Sequence, residues 1–265
     1  MYTLADLRAV TEYATDRGVR LLFEVDGPGH TYSWGKGYPD MMPKTCFKDM
    51  PKKCNQCYRD VAANPIAQQT YEVLEGILSD ISASTDAQFL HLGGDEVDYD
   101  CWASDSKIRS YMSENNLGDD YSQLLGVYVD KAVKFVQKDL AATPLLWEDT
   151  FMAGVRACVC VCPPLSFPFF FSTLTSFPPP YAQVRPPLDT IFDVWTDSSN
   201  VALVTEAGYR VVAAPADYWY MDHTDNVWMK MYGYDPAAGL TLQQQELVVG
   251  GEVSMWGENF MHLGA

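Results

Sequence analysis

Apolar positions along the chain fall into two alternating rhythms. Over 3–17, Leu4, Leu7, Val10, Tyr13 and Ala14 recur at helical spacing, and Thr3 with Asp6 suits a capping-box start. Gly18 closes that helix, and the apolar run 19–25, which carries Glu24, predicts a short buried strand. The same plan returns at 200–214, as a helix over 200–207, then Gly208, then the apolar run 211–214. Further strands are predicted over 89–92, 144–147, 191–195 and 247–253, with helices over 67–81, 104–113 and 121–140 between them. Helix, glycine, short apolar strand and polar strand end form the repeating unit of a parallel α/β sheet.

Each of the six strands finishes in polar or aromatic residues. In chain order these are Glu24, Asp26 and His30; Asp95 and Glu96; Trp147 and Glu148; Trp195 and Asp197; Asp217, Tyr220 and Asp222; and Glu252, Trp256 and Glu258. In a (β/α)₈ barrel the strand ends share one mouth, where such barrels place their chemistry. Indole faces stack on the C–H faces of sugar rings while carboxylates bind hydroxyls, so a mouth of this composition suggests carbohydrate. Six strands are not eight: the sheet is open, or two barrel strands lie outside this chain.

The most informative stretch is FLHLGGDEVDYDCW, residues 89–102. An apolar strand meets Gly93-Gly94, which lets the backbone approach whatever lies above the strand end, and then presents Asp95 and Glu96. A carboxyl group shielded from water there has the raised proton affinity of a general acid. Taken alone, GGDE reads equally well as a solvated acidic turn.

Composition narrows the classes. The 265 residues are 48% hydrophobic, enough for one substantial core, and the net charge is -17 from 18 Lys+Arg against 35 Asp+Glu. With no basic stripe, nucleic acid is not an expected partner. No apolar run is long enough for a membrane span, and the start of the chain lacks the charged and apolar regions of a signal peptide. Among the seven cysteines, Cys46, Cys54, Cys57 and Cys101 fall in loops, where they suit two disulfides in an oxidising compartment. Cys54 and Cys57 also have the spacing of half a zinc site, but no second pair completes it, so no metal and no cofactor is expected.

Residues 154–183 break the pattern. From Pro163 to Pro180 every residue except Thr173 and Thr175 is Pro, Leu, Ser or Phe, the set encoded by codons made only of pyrimidines. The preceding stretch, with Cys158, Cys160 and Cys162 alternating, resembles a translated GT-rich tract. The segment reads as a translated intron or, alternatively, as a genuine Pro/Phe-rich surface insertion; in either case its clustered Phe and flanking Pro predict a disordered, exposed apolar loop.

The motifs HLGGDEVDYDCW (91–102), FEVDGPGHTYSW (23–34), LLWEDTF (145–151), DVWTD (193–197) and GGEVSMWGE (250–258) together resemble the catalytic barrel of family 20 glycoside hydrolases, above all eukaryotic lysosomal-type β-N-acetylhexosaminidases. The resemblance implies a partial (β/α)₈ catalytic domain over 1–265, lacking about the first two strands and the last helix. It implies an exo-acting, retaining hydrolase in which the substrate's own 2-acetamido oxygen is the nucleophile. Glu96 is then the acid and base, Asp95 the acceptor of the acetamido N–H, and Tyr220 a donor to its carbonyl oxygen. Trp147, Trp195 and Trp256 would wall the pocket, Asp222 and Glu258 bind outer hydroxyls, and Asp26 with His30 support Glu96. Cys46 and Cys101 match a family disulfide, and Cys54 and Cys57 match nothing in the family. The implied partners are glycans ending in N-acetylhexosamine, in a lysosomal or secreted setting, with dimer formation open to the full-length form. The alternatives are an inactive or non-folding fragment and a sugar-binding protein without turnover. A chitinase-like reading fails for want of a DxxDxDxE strand.

Overall fold

The computed structural model describes residues 2–47, 61–154, 186–223, 225 and 227–256. Six parallel strands form one sheet: β1 (Phe23–Glu24), β2 (Phe89–His91), β3 (Thr143–Trp147), β4 (Ile191–Val194), β5 (Arg210–Ala213) and β6 (Val248–Gly251). Their order across the sheet follows the chain from β1 to β6, and every neighbouring pair is parallel. A doubly wound sheet reverses its strand order at a switch point, whereas a barrel adds strands in sequence. The fold is therefore α/β in barrel order, with six of the eight strands that a closed (β/α)₈ barrel uses.

The predicted helices are present as α1 (Leu4–Thr15), α2 (Gln68–Thr85), α3 (Ser106–Glu114), α4 (Ser122–Lys138) and α5 (Asn200–Glu206). Thr3 caps α1 as expected: its hydroxyl accepts from the Asp6 N–H at 3.2 Å, and its own N–H donates to Asp6 Oδ2 at 2.7 Å. Helices α2 and α4 bury one stripe each, Tyr71, Leu74, Leu78 and Ile81 on the first and Leu125, Tyr128, Val129, Ala132 and Val136 on the second. These stripes pack with Leu90, Leu146, Phe192, Val194 and Val211 of the central strands into one core. All four residues of β4 are buried, as a parallel strand covered on both faces requires.

The sheet edges depart from the sequence reading. The 19–25 run is a strand only at Phe23–Glu24, and Val19 keeps 53% of its surface exposed. On the far side Val253 is 50% exposed, and β6 covers 248–251 of the expected 247–253. Helix α1, beside the first edge, buries only Ala14 of its apolar stripe. The physical reason is shared: among the described residues β1 and β6 each pair on one side only, so apolar positions near these edges are only partly covered. Short helical turns that apolar spacing did not announce lie at Trp34–Gly37, Asp149–Met152, Trp228–Gly233 and Leu242–Gln245.

Cys46 and Cys101 form a disulfide with Cα atoms 5.3 Å apart, joining the loop after β1 to the helical turn after β2. It lies against a small second core of Met41, Met42, Val61 and Ala63. A bridge spanning 55 residues restricts the unfolded chain and stabilises by roughly 2–4 kcal/mol. Cys54, Cys57 and the segment 154–183 apart from Gly154 lie outside the described residues, as do Cys158, Cys160 and Cys162. No described helix is long and apolar enough to cross a membrane.

Candidate active site

The strand ends converge on a cavity of about 640 Å³ lined by Glu24 of β1, Trp147 of β3 and residues that follow β1, β2, β4, β5 and β6. Glu24 ends β1 and Trp147 ends β3, while Asp26 and His30 follow β1, Asp95 and Glu96 follow β2, and Trp195 follows β4. Tyr220, Asp222 and His223 come from the loop after β5, and Trp256 follows β6. Of the residues singled out for the site, nine line this one cavity; Glu258 lies outside the described residues.

Close approach explains the glycines. A Cβ on Gly93 would lie 1.8 Å from Asp26 Oδ1, and the residue sits at φ 67°. Only glycine lets the β2 backbone pass the β1 carboxylate there, and Gly94 N–H donates to that same oxygen at 3.4 Å. Glu96 follows at φ 47° and His30 stands at φ 53°, left-handed conformations that cost energy for residues with side chains and gather at functional sites.

His30 Nε2 lies 3.3 Å from Asp95 Oδ2 and 3.5 Å from Glu96 Oε2, so one imidazole spans the acidic pair. Its hydrogen bond to Asp95 holds the imidazole above its ordinary range, against the loss of water around it, with the charges of Asp95, Asp26 and Glu96 adding to the effect. Asp26 is raised mainly by burial and next by the neighbouring Asp95 charge. One polar atom each of Asp26, His30 and Asp95 lies within 4.8 Å of the others, so their charges act on one another. The expectation that water is excluded from the acidic pair is not met at Glu96, whose side chain is 44% exposed against 18% for Asp95.

Aromatic rings form the opposite walls. Trp195 and Tyr220 stand nearly parallel at 6.3 Å and 21°, while Trp256 meets Tyr220 at 6.2 Å and Trp147 at 6.3 Å. Burial pushes the Tyr220 phenol upward, so it keeps its proton as a hydrogen-bond donor. Trp147 Nε1–H donates to Glu24 Oε1 at 2.9 Å. Loss of surrounding water pushes Glu24 up to about 7, opposed by that hydrogen bond. Beneath it His91 is buried and pushed down to about 4 by burial; its Nδ1 accepts from Gly93 N–H at 3.1 Å and is therefore neutral.

Several strand-end carboxylates serve the scaffold instead of the cavity. Glu148 is fully buried and accepts from the Thr196 N–H at 2.6 Å and from the Thr196 hydroxyl. Asp197 accepts from Ser199, and Asp217 binds the Ser198 N–H and hydroxyl at 3.1 and 2.8 Å. Asp193 is buried on β4, and burial pushes its carboxyl well above the usual range. The sequence reading passed over Asp149, which reaches both Glu96 and Trp195, although its place directly after Trp147-Glu148 was a visible signal. Glu24, which the sequence places at the mouth but without a role, also lines the cavity, as does His223, which no sequence motif marks.

These shifts give stability a definite pH dependence. Glu24, Asp26 and His30 all bind protons more tightly folded than unfolded, so each favours the fold below its unfolded value and loses that contribution as pH rises through the folded one. His91 acts oppositely, but only below its ordinary 6.5. Above that value the raised groups act unopposed by it, so the thermal midpoint at pH 6.5 is expected to exceed that at pH 8.5. A midpoint that rises over this interval in a buffer-matched melt would contradict the assigned electrostatics.

Fold and site together define an α/β protein whose strand-end cavity combines an acidic pair with aromatic walls. The model of glycosyl hydrolase family 20, catalytic domain, matches residues 1–262. Beta-hexosaminidase subunit beta of Homo sapiens is 33% identical over 269 residues, covering 97% of this chain and 41% of that protein. Beta-hexosaminidase 3 of Arabidopsis thaliana is 32% identical over 259 residues, covering 97% of this chain and 40% of its own length. Among solved structures, the GH20 exo beta-N-acetylglucosaminidase of Vibrio harveyi in complex with N-acetylglucosamine aligns with a TM-score of 0.73 at 22% identity, covering 97% of this chain and 37% of that one, a likeness of fold. The chain belongs to glycosyl hydrolase family 20. It spans about two-fifths of the length of these curated relatives.

Proposed function

We propose that this chain carries the catalytic cavity of an exo-acting, retaining β-N-acetylhexosaminidase that removes terminal N-acetylglucosamine or N-acetylgalactosamine. The observation that carries the reading is the meeting of Asp95 and Glu96 with Trp147, Trp195, Tyr220 and Trp256 around one cavity sized for a sugar with its acetamido arm.

On this reading the acetamido carbonyl oxygen attacks C1 while the C1–O bond to the leaving group breaks and the Glu96 carboxyl gives its proton to the departing oxygen. Asp95 accepts the acetamido N–H, orients the carbonyl and offsets the positive charge of the oxazolinium that forms. Tyr220 donates to the carbonyl oxygen, and Trp147 and Trp195 close around the acetamido group. Water then adds to C1 from the side the leaving group vacated, losing its proton to the Glu96 carboxylate and restoring the amide. Trp256 stacks on the ring, and Asp222 with Glu258 binds outer hydroxyls. Asp26, through His30, steadies the acidic pair.

Two displacements at C1 retain the β configuration. Proton NMR of the full-length protein acting on an aryl β-N-acetylglucosaminide is therefore expected to show β-N-acetylglucosamine before mutarotation. If the α anomer appears first, the proposal fails. The Cys46–Cys101 disulfide and the preference for protonated site groups support a lysosomal or secreted, acidic setting. Pairing of full-length subunits is part of the same proposal.

A further inference from the structure

Asp149 opens the helical turn Asp149–Met152 directly after β3, and its two carboxylate oxygens have separate partners. Oδ1 accepts the backbone N–H of Glu96 at 3.1 Å, and Oδ2 accepts the indole Nε1–H of Trp195 at 2.7 Å. One side chain at the end of β3 thus ties the segment after β2 to the residue that ends β4.

The segment it holds has little stiffness of its own. Gly93 and Gly94 stand at φ 67° and 103°, and Glu96 itself is at φ 47°. Two glycines supply no rotameric or steric restraint, and a left-handed glutamate persists only where its surroundings enforce it. Around Glu96 the backbone amide is gripped by Asp149, while its carboxylate meets His30 only at 3.5 Å. The amide grip is the shorter contact and the one that fixes where the side chain starts.

We propose that Asp149 is a positioning residue that aims the Glu96 carboxyl, and that it does so jointly with Trp195. Seating a sugar against that indole and aligning the acid are then coupled through one carboxylate. This rests on the hexosaminidase reading, which makes Glu96 the acid.

A misaligned acid has a particular kinetic mark. Departure of a sugar alcohol needs a proton, whereas departure of a dinitrophenolate does not. A pocket that is merely loosened slows both substrates alike. An amide offers one acceptor oxygen in place of two, so Asp149→Asn leaves either the Glu96 N–H or the Trp195 N–H facing an NH₂ group.

The test compares kcat on a disaccharide of β-linked N-acetylglucosamine with kcat on the 2,4-dinitrophenyl glycoside, in the full-length protein. Asp149→Asn is expected to lower the disaccharide-to-aryl ratio by ~10-fold or more, within the range a positioned acid contributes. Trp195→Phe removes one donor while keeping an aromatic wall, and it should lower the same ratio by about 3-fold, on the scale of a partly lost hydrogen bond. If Asp149→Asn does not fold, the Trp195→Phe result decides alone. Equal losses on both substrates, or an unchanged ratio, would overturn the positioning role. Wild-type protein inactive on both substrates would instead sink the hexosaminidase reading itself.

Discussion

Glu96→Gln is expected to lower kcat on a disaccharide of N-acetylglucosamine by roughly 10²- to 10⁴-fold, with KM little changed. The amide has nearly the shape of the carboxylic acid but no proton of comparable acidity for the leaving oxygen, and it cannot later take one from water. On the proposed reading binding is largely spared, because there the ring would rest on Trp256 and the acetamido arm on Trp147 and Trp195, which line the cavity independently of that proton. The Glu96 side chain is 44% exposed, so on the proposed reading a bound sugar would supply the shielding from water that an acid needs. A Glu96→Gln variant that keeps near-normal kcat on the disaccharide would remove Glu96 from the role of acid.

Much of this arrangement is written in local patterns. Six short apolar runs, each followed by polar or aromatic residues, place six strands and one mouth, because a parallel strand covered on both faces has to be apolar until it emerges. The motif matches bring Asp95, Glu96, Asp26, His30, Tyr220 and the three tryptophans to one cavity. What the one-dimensional pattern does not distinguish is which way a strand-end carboxylate turns. Glu148 and Asp149 are neighbours, yet the first is buried against Thr196 while the second bonds to Glu96 and Trp195, which line the cavity. Asp197 and Asp217 resemble site residues in sequence and instead fasten the serines at 198 and 199. Edge strands are equally opaque: Val19, Leu21 and Leu22 look buried because they are apolar, and burial depends on a neighbour that the run itself does not specify.

The second large effect concerns the substrate. In the proposed mechanism the nucleophile is the acetamido oxygen, held in line by Asp95, so no protein carboxylate attacks C1. Intramolecular delivery of this kind carries effective molarities of ~10⁵ M or more, and removing the carbonyl forfeits them. Asp95 sits 18% exposed against His30 at 3.3 Å, placed as an acceptor for an amide N–H and poised against positive charge on the oxazolinium. A free amine at C2 keeps a nitrogen for Asp95 but offers no oxygen to C1.

The decisive measurement is the rate of the full-length protein on an aryl β-N-acetylglucosaminide against the matching aryl β-glucosaminide, whose C2 nitrogen is an unacylated amine. The account predicts that the second is hydrolysed at least ~10³-fold more slowly, because its nucleophile is gone. Comparable kcat/KM for the two would contradict substrate assistance and move the nucleophile to a carboxylate of the protein.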